Sequence, residues 1–151
     1  MSGTYFETYL GSLEACADVQ GVLGQEWVIH PPDPDFGYDS TPSNALTFGK
    51  MGVDGVHYAV LLLDGVASDS SPVVQISPMD FGEECHVLAE SFLDYLAVAC
   101  AVPAEQMASI FAAERVGVPV LAGFLRENFD EQRLWELAVD QSLLGFIETR
   151  E

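Results

Sequence analysis

Residues 44–65, NALTFGKMGVDGVHYAVLLLDG, with 71–81, SPVVQISPMDF, and 86–96, HVLAESFLDYL, decide the fold. Ala45 to Phe48 is a short strand candidate in which Thr47 and Phe48 favour extended backbone. Two glycines, Gly52 and Gly55, flank Val53-Asp54 and permit the positive φ of a tight or bulged hairpin corner. Positive φ is therefore expected at Gly52 or Gly55. Val56 to Leu63 is an almost unbroken apolar run, the pattern of a strand covered on both faces. Asp64-Gly65 is a second turn signal, Ser68 to Ser71 a polar loop, and Pro72 introduces a strand over Val73 to Ile76. His86 to Ala89 is a further strand candidate. Ser91 is a good N-cap for the helix that follows, with Asp94 where a capping box places Glu or Gln.

This block resembles the SUKH superfamily, which includes yeast cell-wall assembly regulators and many bacterial immunity proteins. The matching residues are Phe48-Gly49, Val53-Asp54-Gly55-Val56-His57-Tyr58, Pro72-Val73-Val74, and Ala89-Glu90-Ser91-Phe92 leading to Tyr95-Leu96. In that family a glycine–aspartate–glycine corner joins two sheet strands, and a serine–phenylalanine pair marks where the sheet hands over to a helix. The match covers about a third of the chain. The family's N-terminal block, a Leu-Pro pair and an aromatic-rich helix before an asparagine–glycine corner, is not recognisable here; residues 24–44 stand in its place. The resemblance implies a single SUKH-like domain over 1–151, with a divergent N-terminal region (1–44) and a helical C-terminal region (91–151).

Charge is the second strong signal. The 151 residues carry 24 acidic and five basic side chains, a formal net charge of -19, and Lys50 is the sole lysine. Both halves are acidic: residues 1–75 hold ten acidic and one basic, residues 76–151 fourteen and four. Phosphate binding needs clustered Lys and Arg, which argues against nucleic acid and anionic membrane as partners. A basic protein partner is favoured, because the field accelerates its approach. Acidity also serves solubility, or reflects an acidic proteome, and charge alone does not separate these readings.

Length and a hydrophobic content of 49% suit one domain with a sizeable core. The longest apolar run is strand-sized, well short of the ~20 residues of a membrane span. Glu7 and the lack of a basic n-region argue against a secretory signal. Cys16, Cys85 and Cys100 are odd in number and show no C-x-x-C spacing, which favours reduced thiols in a cytoplasmic protein.

Outside the central block, Thr4-x-x-Glu7 is a capping-box pattern. Phe6, Tyr9, Leu10, Leu13, Cys16, Ala17 and Gln20 keep mostly helical spacing up to a stop at Gly24. Gln25 to His30 is a short strand candidate. From His30 to Asn44 four prolines predict irregular structure. After Pro103 a helix is expected over Ala104 to Arg115 and another over Val120 to Phe129. A last one, capped by Asp130, presents Leu134, Leu137, Ala138, Gln141 and Leu144 on one face.

Catalytic constellations are weak. There is no G-x-S-x-G, Gly-rich phosphate loop or H-E-x-x-H. His57, inside an apolar strand, reads as a hydrogen-bonded histidine at a sheet end. Cys85 and His86 are strand neighbours and point to opposite faces. Glu83-Glu84 reads as a solvent-facing pair. Asp33, Asp35 and Asp39 vaguely resemble a calcium loop. However, Gly37 falls where the third ligand belongs, and Asn44 replaces the bidentate glutamate. Two readings of this loop stand: a solvated connection, or a partner-binding segment with Phe36 and Tyr38 as anchors among carboxylates. On the second reading the binding patch is Asp33, Asp35, Phe36, Tyr38 and Asp39, joined by Asp54 at the hairpin corner.

The expected fold is α+β: a twisted, mainly antiparallel sheet of about five or six strands flanked by N- and C-terminal helices. Phe48, Tyr58, Val60, Leu62, Val74, Ile76, Phe92 and Leu96 are expected to pack together between sheet and helix. The resemblance implies a non-catalytic immunity-type protein that occludes the basic site of a cognate toxin, for example a nuclease. No metal or cofactor is implied. The alternative is a regulatory or scaffold domain of the same fold without a toxin partner, and a small hydrolase is a third reading.

Overall fold

The computed structural model describes residues 5–15, 28–33, 37–38, 40–50, 54–114, 120–130, 133–134 and 139–148. Helix α1 (Tyr5–Ala15) precedes strands β1 (Val28–Asp33), β2 (Ala45–Lys50), β3 (His57–Leu61), β4 (Val73–Ile76) and β5 (Cys85–Ala89). Helices α2 (Phe92–Ala99), α3 (Ala104–Glu114) and α4 (Val120–Asn128) follow, and a 3-10 helix spans Gln141–Phe146. The class is α+β. Strands β2 to β5 form an open antiparallel sheet in chain order, and β1 pairs along the β2 edge. The Thr4 cap, the helical positions 16–20, the stop at Gly24, and Cys16 lie outside the described residues.

Chemistry visible in the sequence sets most of these elements. β4 begins directly after Pro72, as expected. Ser91 is extended (φ -150, ψ 163), and its Oγ accepts from the Asp94 backbone N–H at 3.1 Å, so α2 starts where the cap residue sits. Asp54 and Gly55 have φ of 54° and 73°; Asp64 and Gly65 have 54° and 76°. Two successive left-handed residues match the twist of flanking antiparallel strands, the reason Asp-Gly recurs at hairpin corners. Gly55 thus has the expected positive φ, while Gly52 lies outside the described residues.

All five residues of β3 are buried, because both faces of the sheet are covered. On one face Phe48, Tyr58, Val60 and Leu88 meet Phe6 and Tyr9 of α1, Phe92 and Leu96 of α2, Phe111 of α3 and Leu125 of α4. Phe92 sits at the centre. Its ring centroid lies 5.1 Å from Phe6, 4.9 Å from Tyr9 and 5.4 Å from Phe48, all edge-on contacts that suit the ring quadrupoles. On the other face Ala45, Ala59, Leu61, Val74, Ile76 and Val87 are covered by Val139, Leu143, Leu144 and Ile147.

Three expectations need correction. First, Val74 and Ile76 do not join Phe92. They face the opposite side, Val73 takes the helix side, and Leu62 is only half-buried. A four-residue strand buried on both faces carries no alternation from which to read its parity. Second, Pro31 and Pro32 lie within β1, not in irregular chain. Pairing jumps from Ile29↔Gly49 to Asp33↔Thr47, four residues against two, so both prolines fall in a bulge of an edge strand where no ladder N–H is needed. Third, no continuous helix runs from Asp130 to Leu144. Val139-Asp140 is non-helical, and Asp140 caps its own 3-10 turn by accepting from the Ser142 N–H.

The C-terminal segment is held across the sheet by side-chain amides. Gln141 accepts from the Val87 N–H at 2.9 Å and donates to the Val87 carbonyl at 3.1 Å, occupying the free edge of β5 as a neighbouring strand would. At the far side Asn44 donates to the Phe146 carbonyl and accepts from the Glu148 N–H. These two anchors stretch Leu143 and Leu144 over the second apolar face.

Candidate partner-binding surface

The β2–β3 corner and the β4–β5 loop emerge at the same end of the sheet, since His57 pairs with Ile76 and Ile76 with Cys85. The Tyr38–Thr41 turn packs against them. A Cβ on Gly55 would stand 3.2 Å from Tyr38 ring atoms and 3.3 Å from Pro78 Cγ, so the glycine lets both rings close over the corner.

A short polar chain fixes Tyr38. Its N–H donates to Thr41 Oγ1 at 2.9 Å, and Thr41 Oγ1 lies 2.9 Å from Nε2 of the fully buried His57. His57 Nδ1 lies 2.7 Å from the Gly55 carbonyl, which can only accept. Nδ1 therefore carries a proton, and in the neutral ring Nε2 accepts from the Thr41 hydroxyl. His57 is a hydrogen-bonded histidine at a sheet end, as its sequence context suggested.

The β4–β5 loop is closed on itself. Ser77 N–H donates to the Glu84 carbonyl, Asp80 N–H to Ser77, and Glu83 N–H to Asp80. Gly82 takes φ 91°, and its N–H donates to Glu84 Oε1 at 3.1 Å. The loop tip projects Met79 and Phe81 into solvent, Phe81 at 83% exposure. Between this loop and Tyr38 and Ser40 lies an open cleft of about 510 Å³ lined by Tyr38, Ser40, Pro78, Phe81 and Glu84. Asp54 at the corner and Asp80 and Glu83 in the β4–β5 loop are exposed at the same end of the sheet. Beside the cleft the Cys85 thiol contacts the Ser40 carbonyl, and its pKa is raised by burial and then by the Glu84 charge.

Of the sequence-derived patch, Tyr38 and Asp54 come together at this end, Tyr38 resting on the Asp54-Gly55 turn. Asp33 ends β1 opposite Thr47. Asp35, Phe36 and Asp39 lie outside the described residues. Met79 and Phe81 are not among the residues of the sequence-derived patch. The available signal was two large apolar residues in a Pro-Met-Asp-Phe-Gly loop, where a turn needs only polar and small residues. No group of three or more His, Cys, Asp or Glu arranged to hold a metal occurs among the described residues. No single helix among them is long and apolar enough to cross a membrane. No family model, curated protein or solved structure matches this chain.

Proposed function

We propose that this chain is a non-catalytic, cytoplasmic binding protein of SUKH type, an immunity-type protein that neutralises a basic partner such as a nuclease toxin. The mechanism is occlusion. An acidic surface covers the cationic groups with which the partner holds a polyanion, and the net charge of -19 steers the encounter. The observation that carries this reading is the pairing of exposed aromatics with carboxylates at one sheet end: Tyr38 and Phe81 among Asp54, Asp80, Glu83 and Glu84. A solubilising charge alone gives no reason for a loop to hold phenylalanine in water. Aromatic anchors within a charged rim are the usual anatomy of a protein interface. The test is co-expression with the protein encoded beside this one. A stoichiometric complex that relieves that protein's toxicity is expected. A neighbour that is not toxic, or that forms no complex, would overturn neutralisation and leave a scaffold domain.

A further inference from the structure

We propose that the cleft between Tyr38 and Phe81 is an arginine site, taking the guanidinium of an arginine on an exposed loop of the partner. The inference rests on the reading above that the partner is basic. Two exposed aromatic side chains line the cleft, and Glu84 stands with them. A guanidinium is planar, weakly hydrated and forked: it stacks on an aromatic face while donating two N–H groups to a carboxylate. An ammonium is strongly hydrated and can do one of these well but not both. The Glu84 carboxylate is oriented by the Gly82 N–H on Oε1. Tyr38 is held through Thr41 and His57, and the loop carrying Phe81 is tied by its own turns. The backbone that carries these groups is therefore held before a ligand arrives, which lowers the entropy lost on docking. Asp54, Asp80 and Glu83, exposed at the same end of the sheet, add negative charge that favours a cation. A second copy of this chain is disfavoured as occupant because it brings the same negative field.

The test is an amide chemical-shift titration of the full chain with a capped Gly-Arg-Gly-Arg-Gly peptide and with its lysine counterpart at low salt. The arginine peptide is expected to shift Gly55, Gly82 and Glu84, and to bind about 3- to 10-fold tighter than the lysine peptide. Phe81→Ala and Glu84→Gln should each erase that preference. Phe81 is exposed, so its truncation leaves the thermal melt unchanged. Equal affinities with shifts scattered over the surface would overturn the arginine site while leaving a basic partner standing. No binding of either peptide would overturn both. Concentration-dependent self-association lost in Phe81→Ala would assign the cleft to a second copy and overturn the proposal as well.

Discussion

Thr41 Oγ1 stands 2.9 Å from His57 Nε2, and this contact ties the turn before β2 to the first residue of β3 at full burial. Thr41→Val keeps the shape and removes the hydroxyl proton that Nε2 accepts. Removing one partner of a buried hydrogen bond costs about 1–3 kcal/mol. Urea unfolding should show that loss, and unchanged stability would contradict a Thr41–His57 hydrogen bond in the folded protein.

Gly55 and Gly65 have the same left-handed backbone, φ 73° and 76°, but different surroundings. A Cβ at Gly65 meets nothing within 4 Å, whereas one at Gly55 meets the Tyr38 and Pro78 rings. Both alanine variants should lose about 1–2 kcal/mol to backbone strain. Gly55→Ala should lose more and shift the Tyr38 resonances, while Gly65→Ala leaves them in place. Equal melting temperatures for the two would contradict the packing at the corner.

Helix α2 ends on an alanine where glycine belongs. Ala101 has φ 54°, with its N–H on the Val98 carbonyl and the Val102 N–H on the Ala97 carbonyl. This is the paired termination that favours glycine at the left-handed position. Ala101→Gly should stabilise the protein by roughly 0.5–1 kcal/mol, the strain relieved less the extra freedom of the unfolded chain. A lower melting temperature would refute the assignment.

Cys100 is buried in the helix-side core. Burial raises its thiol from 9.0 to about 12, with Arg133 opposing part of the rise. Tyr9 is raised well above 10.0 by burial and then by the Cys100 charge. With folded values above unfolded ones, the folded state holds its protons more tightly. The associated stability is complete below pH 9.0 and is lost as pH rises through about 12. Melting temperature should fall over that window, and Cys100→Ala should fall less steeply. Parallel profiles for the two proteins would exclude Cys100 as a source of alkaline sensitivity.

Local signals in the sequence were strong where one residue type has one physical use. Pro72 before β4, Ser91 before α2 and the Asp-Gly corners each set a boundary by backbone chemistry. Where tertiary context decides, the same sequence misleads. Val73 and Val74 are chemically identical, and only the register against Ala59 and Val60 separates the helix side from the other face. Pro31 and Pro32 argue against a strand unless it is known to lie at an edge and bulge. Helical spacing after Asp130 is outweighed at Gln141, whose amide accepts from and donates to Val87 of β5 while also donating to the Val139 carbonyl. At the candidate site Tyr38 and Asp54 were legible from the aromatic and turn chemistry. Phe81 was not, because a phenylalanine in sequence reads as core until its loop is seen to point outward.

The most direct test of the central claim is the association rate between this protein and the protein encoded beside it, followed across ionic strength. If an acidic face steers a basic partner, the on-rate should fall by about tenfold or more as screening shortens to about 8 Å at physiological salt. Phe81→Ala should raise the off-rate and leave the salt dependence unchanged. An on-rate indifferent to salt, with Phe81→Ala matching the wild type, would contradict the account and leave the acidity a matter of solubility.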